Sequence, residues 1–283
     1  MKHSRILATA LILLAVIACA ALAANDAPFF FVQLADTQLG FTKGGNDMEI
    51  EIDHFKQAVA DINRLKPAFV IISGDLTNAA HNPRQIREFW KVAREISPDI
   101  PLHLVPGNHD VGKATAEDIR SYNKLMGEDH YSFSCNGTQF VVIDSPLLND
   151  ASDKTLRDQQ RKWFETELAA AQANKATHIF VCTHQPFFLT KPDEADKYQN
   201  TPLAYRGDYL DVINRYNAQF AISGHLHHEQ AARDRNLSLI SCGPISKSVA
   251  KPPVVGLRIW RVYKDRVEQQ FHALGKVPDH VAM

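Results

Sequence analysis

Five short apolar runs in this chain each stop at a side chain able to bind a cation. Phe29 to Ala35 stops at Asp36, with Gln38 close behind. Val70 to Ser73 stops at Gly74-Asp75, and Leu102 to Val105 stops at Pro106-Gly107-Asn108-His109-Asp110. Ile179 to Thr183 stops at His184, and Phe220 to Ser223 at Gly224-His225-Leu226-His227-His228. Short runs rich in β-branched and aromatic residues read as buried strands. A chain that ends buried strands this way must gather the polar ends somewhere.

Helical patterns lie between the runs. Ile52, Phe55, Val59, Ile62 and Leu65 recur at helical spacing, and Pro67 ends that stretch. Pro83 opens a helix near Gln85 to Ile96; Ala116 to Met126, Leu156 to Ala173 and Tyr209 to Tyr216 are further helices. Asn136-Gly137, between Tyr131 to Ser134 and Gln139 to Ile143, signals a hairpin. Past Ile222 the helical spacing ends. Leu237 to Ser241, Val254 to Val262 and Val267 to His272 read as antiparallel strands. The pattern predicts an α/β fold, a two-sheet mixed β-sandwich flanked by helices, with the tail forming a second sheet packed on the first. The longest expected loop, Gln185 to Pro202, is of a length that is often functional.

At 283 residues and 45% hydrophobic content, the chain can bury a core of that size. Its net charge of -1 leaves no basic footprint, so no nucleic-acid binding is expected. Lys2 and Arg5 flank the apolar run Ile6 to Ala24, which contains Ala21-Leu22-Ala23 near its end. This has the form of a signal peptide over 1–23, leaving 24–283 as a single domain. The run is also long enough to span a bilayer, but small residues crowd its end and favour cleavage. Val16-Ile17-Ala18-Cys19 looks like a bacterial lipoprotein box, which would lipidate Cys19 and attach the protein to a membrane. The expected location is therefore exported, periplasmic or secreted. Cys135, Cys182 and Cys242 sit in apolar stretches, where buried free thiols are expected.

The carboxyl ends of strands form the ligand crevice of α/β sheets. Here those ends offer Asp, Asn and His, which suit Zn, Mn or Fe. Glycines precede three of the groups and permit sharp turns and close approach. In extended backbone His225 and His227 would share one face, as would Asp36 and Gln38, and His228 would point away. Each group alone is weak evidence. Their joint occurrence, one at each strand end, indicates a metal centre.

The series Asp36, Gly74-Asp75, Gly107-Asn108-His109-Asp110, His184 and Gly224-His225-Leu226-His227 resembles the calcineurin-like metallophosphoesterase superfamily. The resemblance covers nearly the whole chain after residue 24, and includes His130-Tyr131-Ser132-Phe133 and Phe140 to Ser145. Asp36-Thr37-Gln38-Leu39-Gly40 and Pro192-Asp193-Glu194 resemble the branch of calcineurin-like phosphoesterase domain-containing proteins, some of which are serine/threonine phosphatases. It implies the superfamily's four-layer fold and two divalent or trivalent ions, Mn, Fe or Zn. By that resemblance Asp75 bridges the ions, Asp36 and His227 complete one site, and Asn108, His184 and His225 complete the other. The implied reaction is hydrolysis of a phosphate ester, chiefly a phosphomonoester and in some relatives phosphoprotein, by a metal-bridging hydroxide. His109 would donate to the phosphate or the leaving group.

The pattern has departures. Many relatives carry a metal-binding His where Gln38 stands; Gln38 is expected to serve as a weak ligand or to act through a water. Asn78 stands where related serine/threonine phosphatases have an Asp that orients the catalytic His, and its side chain is expected to accept from His109. Asp110 either compensates His109 or caps a surface turn. A cyclic-nucleotide-type phosphodiesterase is the rival enzyme. A catalytically silent metal-binding lipoprotein is the rival outside catalysis, supported by Gln38. A purple acid phosphatase would carry a Tyr where Asn78 stands. In the long loop, Phe187, Phe188 and Tyr198 either wall a substrate cleft or pack on the domain. Arg206 reads as a solvated residue at a helix start, and His54, His103 and His178 as structural.

Overall fold

The computed structural model describes residues 27–45, 47–149 and 152–283. The expected signal segment and Cys19 lie outside the described residues. In chain order the first half comprises β1 (Phe29–Leu34), α1 (Glu49–Leu65), β2 (Val70–Ile72), α2 (Pro83–Ala93), β3 (Leu102–Leu104), α3 (Asn108–Val111) and α4 (Ala116–Leu125). There follow β4 (Tyr131–Cys135), β5 (Thr138–Val142), α5 (Lys154–Ala173), β6 (Ile179–Cys182), α6 (Leu203–Arg215) and β7 (Phe220–Ser223). The tail holds β8 (Gln230–Asp234), β9 (Leu237–Ser241), β10 (Gly256–Val262) and β11 (Val267–Ala273).

One sheet has the order β11-β10-β1-β2-β3 and the other β4-β5-β6-β7-β9-β8. Strand alternation sorts the core into layers. Phe31, Ile71, Phe140 and Phe180 point into the space between the sheets, with Trp260 from β10. Phe31 stacks on Phe69 and meets Phe140 and Phe180 edge-on, so the two sheets interlock through aromatic contacts. Val32, Leu34, Val70 and Ile72 face the other way, against Phe55 of α1 and Phe89 of α2. Val141 and Val181 face Phe164 of α5 and Tyr209 of α6. Burial on both faces explains why these strands read as unbroken apolar runs.

Gln33 is the exception, fully buried among apolar neighbours. Its amide N–H donates to Ser73 Oγ (2.9 Å) and the Ser223 carbonyl (3.0 Å), and its oxygen accepts from Trp260 Nε1 (2.9 Å). One side chain thus ties the ends of β1, β2 and β7 together just before the polar residues that follow them.

The tail departs from expectation. It forms no sheet of its own: β8 and β9 extend one sheet, and β10 and β11 extend the other. β9 pairs with β8 antiparallel, and β10 with β11, as expected, but β9 pairs with β7 in parallel. β8 was not foreseen, because Gln-Ala-Ala-Arg-Asp at a sheet edge lacks an apolar face. The cysteines Cys135, Cys182 and Cys242 are free, with Cys135 only partly buried.

Candidate metal centre

Within each sheet the relevant strands run parallel, β1 with β2 and β6 with β7, so their polar ends emerge on one rim. Backbone bonds join the ends: Asp36 N–H donates to the Gly74 carbonyl and Gly224 N–H to the His184 carbonyl. His225 N–H donates to both Asp36 carboxylate oxygens, at 3.1 and 3.0 Å, across the two sheets. Gly107 and Gly224 make room. A Cβ at Gly224 would lie 2.7 Å from Asp36 Oδ2, and one at Gly107 would overlap the Asp75 backbone and carboxylate.

Asp36, Gln38, Asp75, His225 and His227 all have left-handed backbone, with φ of 51°, 35°, 49°, 70° and 53°. Each costs about 1–3 kcal/mol in a non-glycine residue, and such strain concentrates where side chains must be aimed. It also corrects the expected shared face of His225 and His227, which required extended backbone. Their rings meet different partners. His225 Nδ1 lies 3.2 Å from His184 Nε2, whereas His227 Nε2 lies 3.6 Å from Asp36 Oδ1.

Each of these three imidazoles spends one ring N–H on a backbone carbonyl. His184 Nδ1 donates to Ser73 (2.8 Å), His225 Nε2 to Tyr198 (3.1 Å) and His227 Nδ1 to Lys247 (2.7 Å). When the ring is neutral, its other nitrogen carries a lone pair, the orientation that metal-binding histidines require. Around His184 Nε2 stand Asn108 Oδ1 at 3.1 Å, His225 Nδ1 at 3.2 Å and Asp75 Oδ2 at 3.3 Å. These are acceptors facing acceptors. Among the described residues, Asp75, His184 and His225 form a buried group whose ligand atoms all lie within 4.8 Å of one another.

Without a metal, only a proton can relieve this crowding. Burial pulls the His184 imidazole down, but Asp75 and then Asp36 pull it up to about 9. Burial, followed by the neighbouring His184, drives His225 down to about 4. Burial raises Asp75, yet His184 outweighs it and holds this carboxylate well below its usual range. Burial raises Asp36 to about 6 against the pull of His227 and His184. A divalent cation fits this donor set of imidazole, carboxylate and amide oxygen better than a proton does, since it accepts from all of them at once.

Gln38 supplies an independent sign. Its side chain is 1% exposed, and Oε1 has no hydrogen-bond partner. A buried orphan acceptor on a residue whose N–H donates to the Asp75 carbonyl (2.8 Å) fits a cation-binding role.

The neighbours expected to assist divide. His109 Nδ1 does meet residue 78, but at the backbone carbonyl (2.8 Å), so the expected use of the Asn78 side chain is corrected. A carbonyl fixes the imidazole without regard to side-chain identity. His109 N–H also donates to Asp75 Oδ1 at 2.9 Å. Asp110 is neither a surface cap nor a partner of His109. It is 4% exposed and accepts from the N–H groups of Leu76, Thr77 and Gly107, binding the β2 loop to the β3 loop. His228 turns away and donates to the Leu226 carbonyl.

The loop over 185–202 also divides. Phe187 and Phe188 are buried in the core, whereas Tyr198 is 70% exposed and sits against the centre. Arg206 is fully buried, not solvated. It donates to the Thr201, Pro192 and Glu194 carbonyls at 2.9, 2.9 and 2.8 Å. His54, His103 and His178 are structural as expected: His54 and His178 bond distant carbonyls, and His103 stacks on Phe133. The partners that sequence reasoning missed are chiefly carbonyls, at Ser73, Lys247, Asn78 and Tyr198. No side-chain pattern encodes them.

The sequence profile described as calcineurin-like phosphoesterase matches residues 31–229. Serine/threonine-protein phosphatase CPPED1 of Rattus norvegicus is 34% identical over 267 residues, covering 88% of this chain and 85% of that protein. Glycerophosphodiester phosphodiesterase GpdQ of Enterobacter lignolyticus (strain SCF1) is 29% identical over 181 residues, covering 60% of each. A dimetal phosphatase from Danio rerio superposes with a TM-score of 0.69 at 17% identity, covering 87% of this chain and 96% of that one, which shows the shared fold. The chain belongs to the calcineurin-like phosphoesterase family and is a metal-dependent phosphoesterase.

Proposed function

We propose that this chain is a phosphomonoesterase that holds two metal ions and acts on esters of alkyl alcohols, phosphoserine and phosphothreonine among them. The observation that carries the reading is the convergence of imidazole, carboxylate and amide-oxygen ligand atoms around His184 Nε2, set beside a half-buried imidazole, His109, whose Nδ1 is already committed. Asp75, Asn108, His184 and His225 would hold one ion; Asp36 and His227, with Gln38, would hold the other. When bound, divalent ions polarise the phosphate and lower the pKa of water near it.

The protein's own groups do the rest. The Asn78 carbonyl fixes the His109 tautomer, so Nε2 is the ring atom free to meet substrate. An alkoxide leaving group needs a proton, which Nε2 would donate when both ring nitrogens carry one. His109 N–H donates to the Asp75 carboxylate, so one residue would position both the proton donor and a metal ligand. The likeness to CPPED1 supports the monoester reading over the long extent of the match. Export is part of the same proposal, either through a signal peptide over 1–23 or through a lipoprotein signal that ends before Cys19 and lipidates it.

A second reading, hydrolysis of phosphodiesters, is favoured by the likeness to GpdQ. The protein should be assayed with p-nitrophenyl phosphate, bis-p-nitrophenyl phosphate and phosphoserine peptides, each with Mn, Zn or Fe, beside metal analysis. Monoesters turned over faster than diesters support the first reading; the reverse order supports the second.

A further inference from the structure

Tyr198 stands out in a loop whose other aromatic residues are buried. Phe187 and Phe188 are 0% and 1% exposed, so the anchoring of the loop is already accounted for. The loop is also braced from inside. Besides the carbonyls held by Arg206, the Glu194 carboxylate accepts from Leu189 N–H (2.7 Å), Thr190 N–H (3.0 Å) and the Asn200 amide (2.7 Å). It is a fixed platform, and it carries Tyr198 to the metal centre.

Tyr198 is 70% exposed, yet its contacts are with candidate ligands. Its carbonyl accepts from His225 Nε2 at 3.1 Å, its ring lies 5.0 Å from the His225 ring, and its hydroxyl accepts from Asn108 Nδ2 at 3.2 Å. The last bond matters most. Asn108 turns its oxygen toward His184 and its amide toward the phenol, so the phenol oxygen is an acceptor there. A hydroxyl that accepts one bond still has its proton to give. That proton sits on an exposed side chain at the mouth of a site for anionic esters.

We propose that Tyr198 is a substrate-contacting residue: its hydroxyl accepts from Asn108 and donates its own proton to an oxygen of the bound phosphate. The inference rests on the phosphoesterase site described above. A hydrogen bond to a charged oxygen is worth enough to change affinity by about tenfold or more. The backbone carbonyl that orients His225 is untouched by side-chain substitution, which separates substrate contact from metal binding.

The test compares the metal-loaded full chain with Tyr198→Phe, which removes one oxygen from an exposed ring. Inorganic phosphate binding is measured by calorimetry, metal content by elemental analysis, and kcat and KM with an aryl phosphate. The expected result is unchanged metal content, phosphate bound about tenfold more weakly, and kcat/KM lowered to a similar degree. Phosphate binding and kcat/KM within about twofold of wild type would overturn the inference and leave the phosphoesterase reading standing. Loss of metal in Tyr198→Phe would also overturn it, by assigning the hydroxyl to support of Asn108. A wild-type protein that neither binds phosphate nor hydrolyses an ester would overturn both.

Discussion

His184 Nε2 lies 3.1 Å from Asn108 Oδ1, and with His184 Nδ1 bonded to the Ser73 carbonyl only a metal ion or a second proton on the ring can reconcile the two atoms. A divalent ion would satisfy both atoms and displace that proton. Adding Mn should therefore stabilise the chelator-treated protein. At about a hundredfold excess over Kd the gain is about 2.7 kcal/mol, or roughly 5–10 °C in Tm for a chain of this size. Differential scanning calorimetry with and without Mn checks it, and His184→Ala should abolish most of the shift. An unchanged Tm would contradict the assignment.

Gln38 should be a residue kept at a cost to stability. Its orphan Oε1 is buried without a partner, a penalty of about 1–3 kcal/mol in the metal-free protein. Gln38→Leu should leave the metal-free protein as stable as wild type or more so, while weakening retention of one ion. Gln38→His should tighten retention. Chemical denaturation beside metal stoichiometry after dialysis reads both effects.

The Asn78 side chain should be dispensable. His109 is oriented by the carbonyl of that residue, so Asn78→Ala should change kcat by less than about threefold. His109→Asn should lower kcat by about 10²- to 10⁴-fold with metal content unchanged. Steady-state kinetics on the two variants distinguish carbonyl support from side-chain support.

The Tyr198 platform should loosen in acid. Burial pushes Glu194 up, but hydrogen bonds from Thr190 and Asn200 and from backbone N–H groups outweigh it and hold the carboxyl at about 2, against an ordinary 4.5. A lowered folded value means the stabilisation is fully present above 4.5 and is lost as pH falls through about 2. Hydrogen exchange over 185–202 should therefore rise across that window in wild type. Arg206→Leu should expose the same segment at neutral pH and cost about 2–4 kcal/mol, because three carbonyls lose their donor.

Much of this architecture was legible in the residues, for a physical reason. Strands buried on both faces are continuous apolar runs, and a run that ends in Asp36, Gly74-Asp75 or His184 announces the rim of the sandwich. What stayed hidden is non-local or main-chain. The sheet that β10 joins depends on pairing with β1, more than two hundred residues earlier in register. Arg206 looks like any exposed guanidinium until the carbonyls of its own preceding loop close around it. Asp110 reads as a turn cap until the Leu76 and Thr77 N–H groups are brought to it. The left-handed backbone of His225 and His227 defeats a same-face rule that assumes extended chain.

The most direct measurement is steady hydrolysis of p-nitrophenyl phosphate by the wild-type protein and by Asp75→Asn, with metal content determined on both. Asp75 faces His184 Nε2 through one oxygen and accepts His109 N–H with the other, so it joins the candidate ligand group to the proposed proton donor. The account predicts metal-dependent turnover in wild type, and loss of both turnover and bound metal in Asp75→Asn. Wild type and variant equally inert with Mn, Zn and Fe, or a variant as active as wild type, would contradict it.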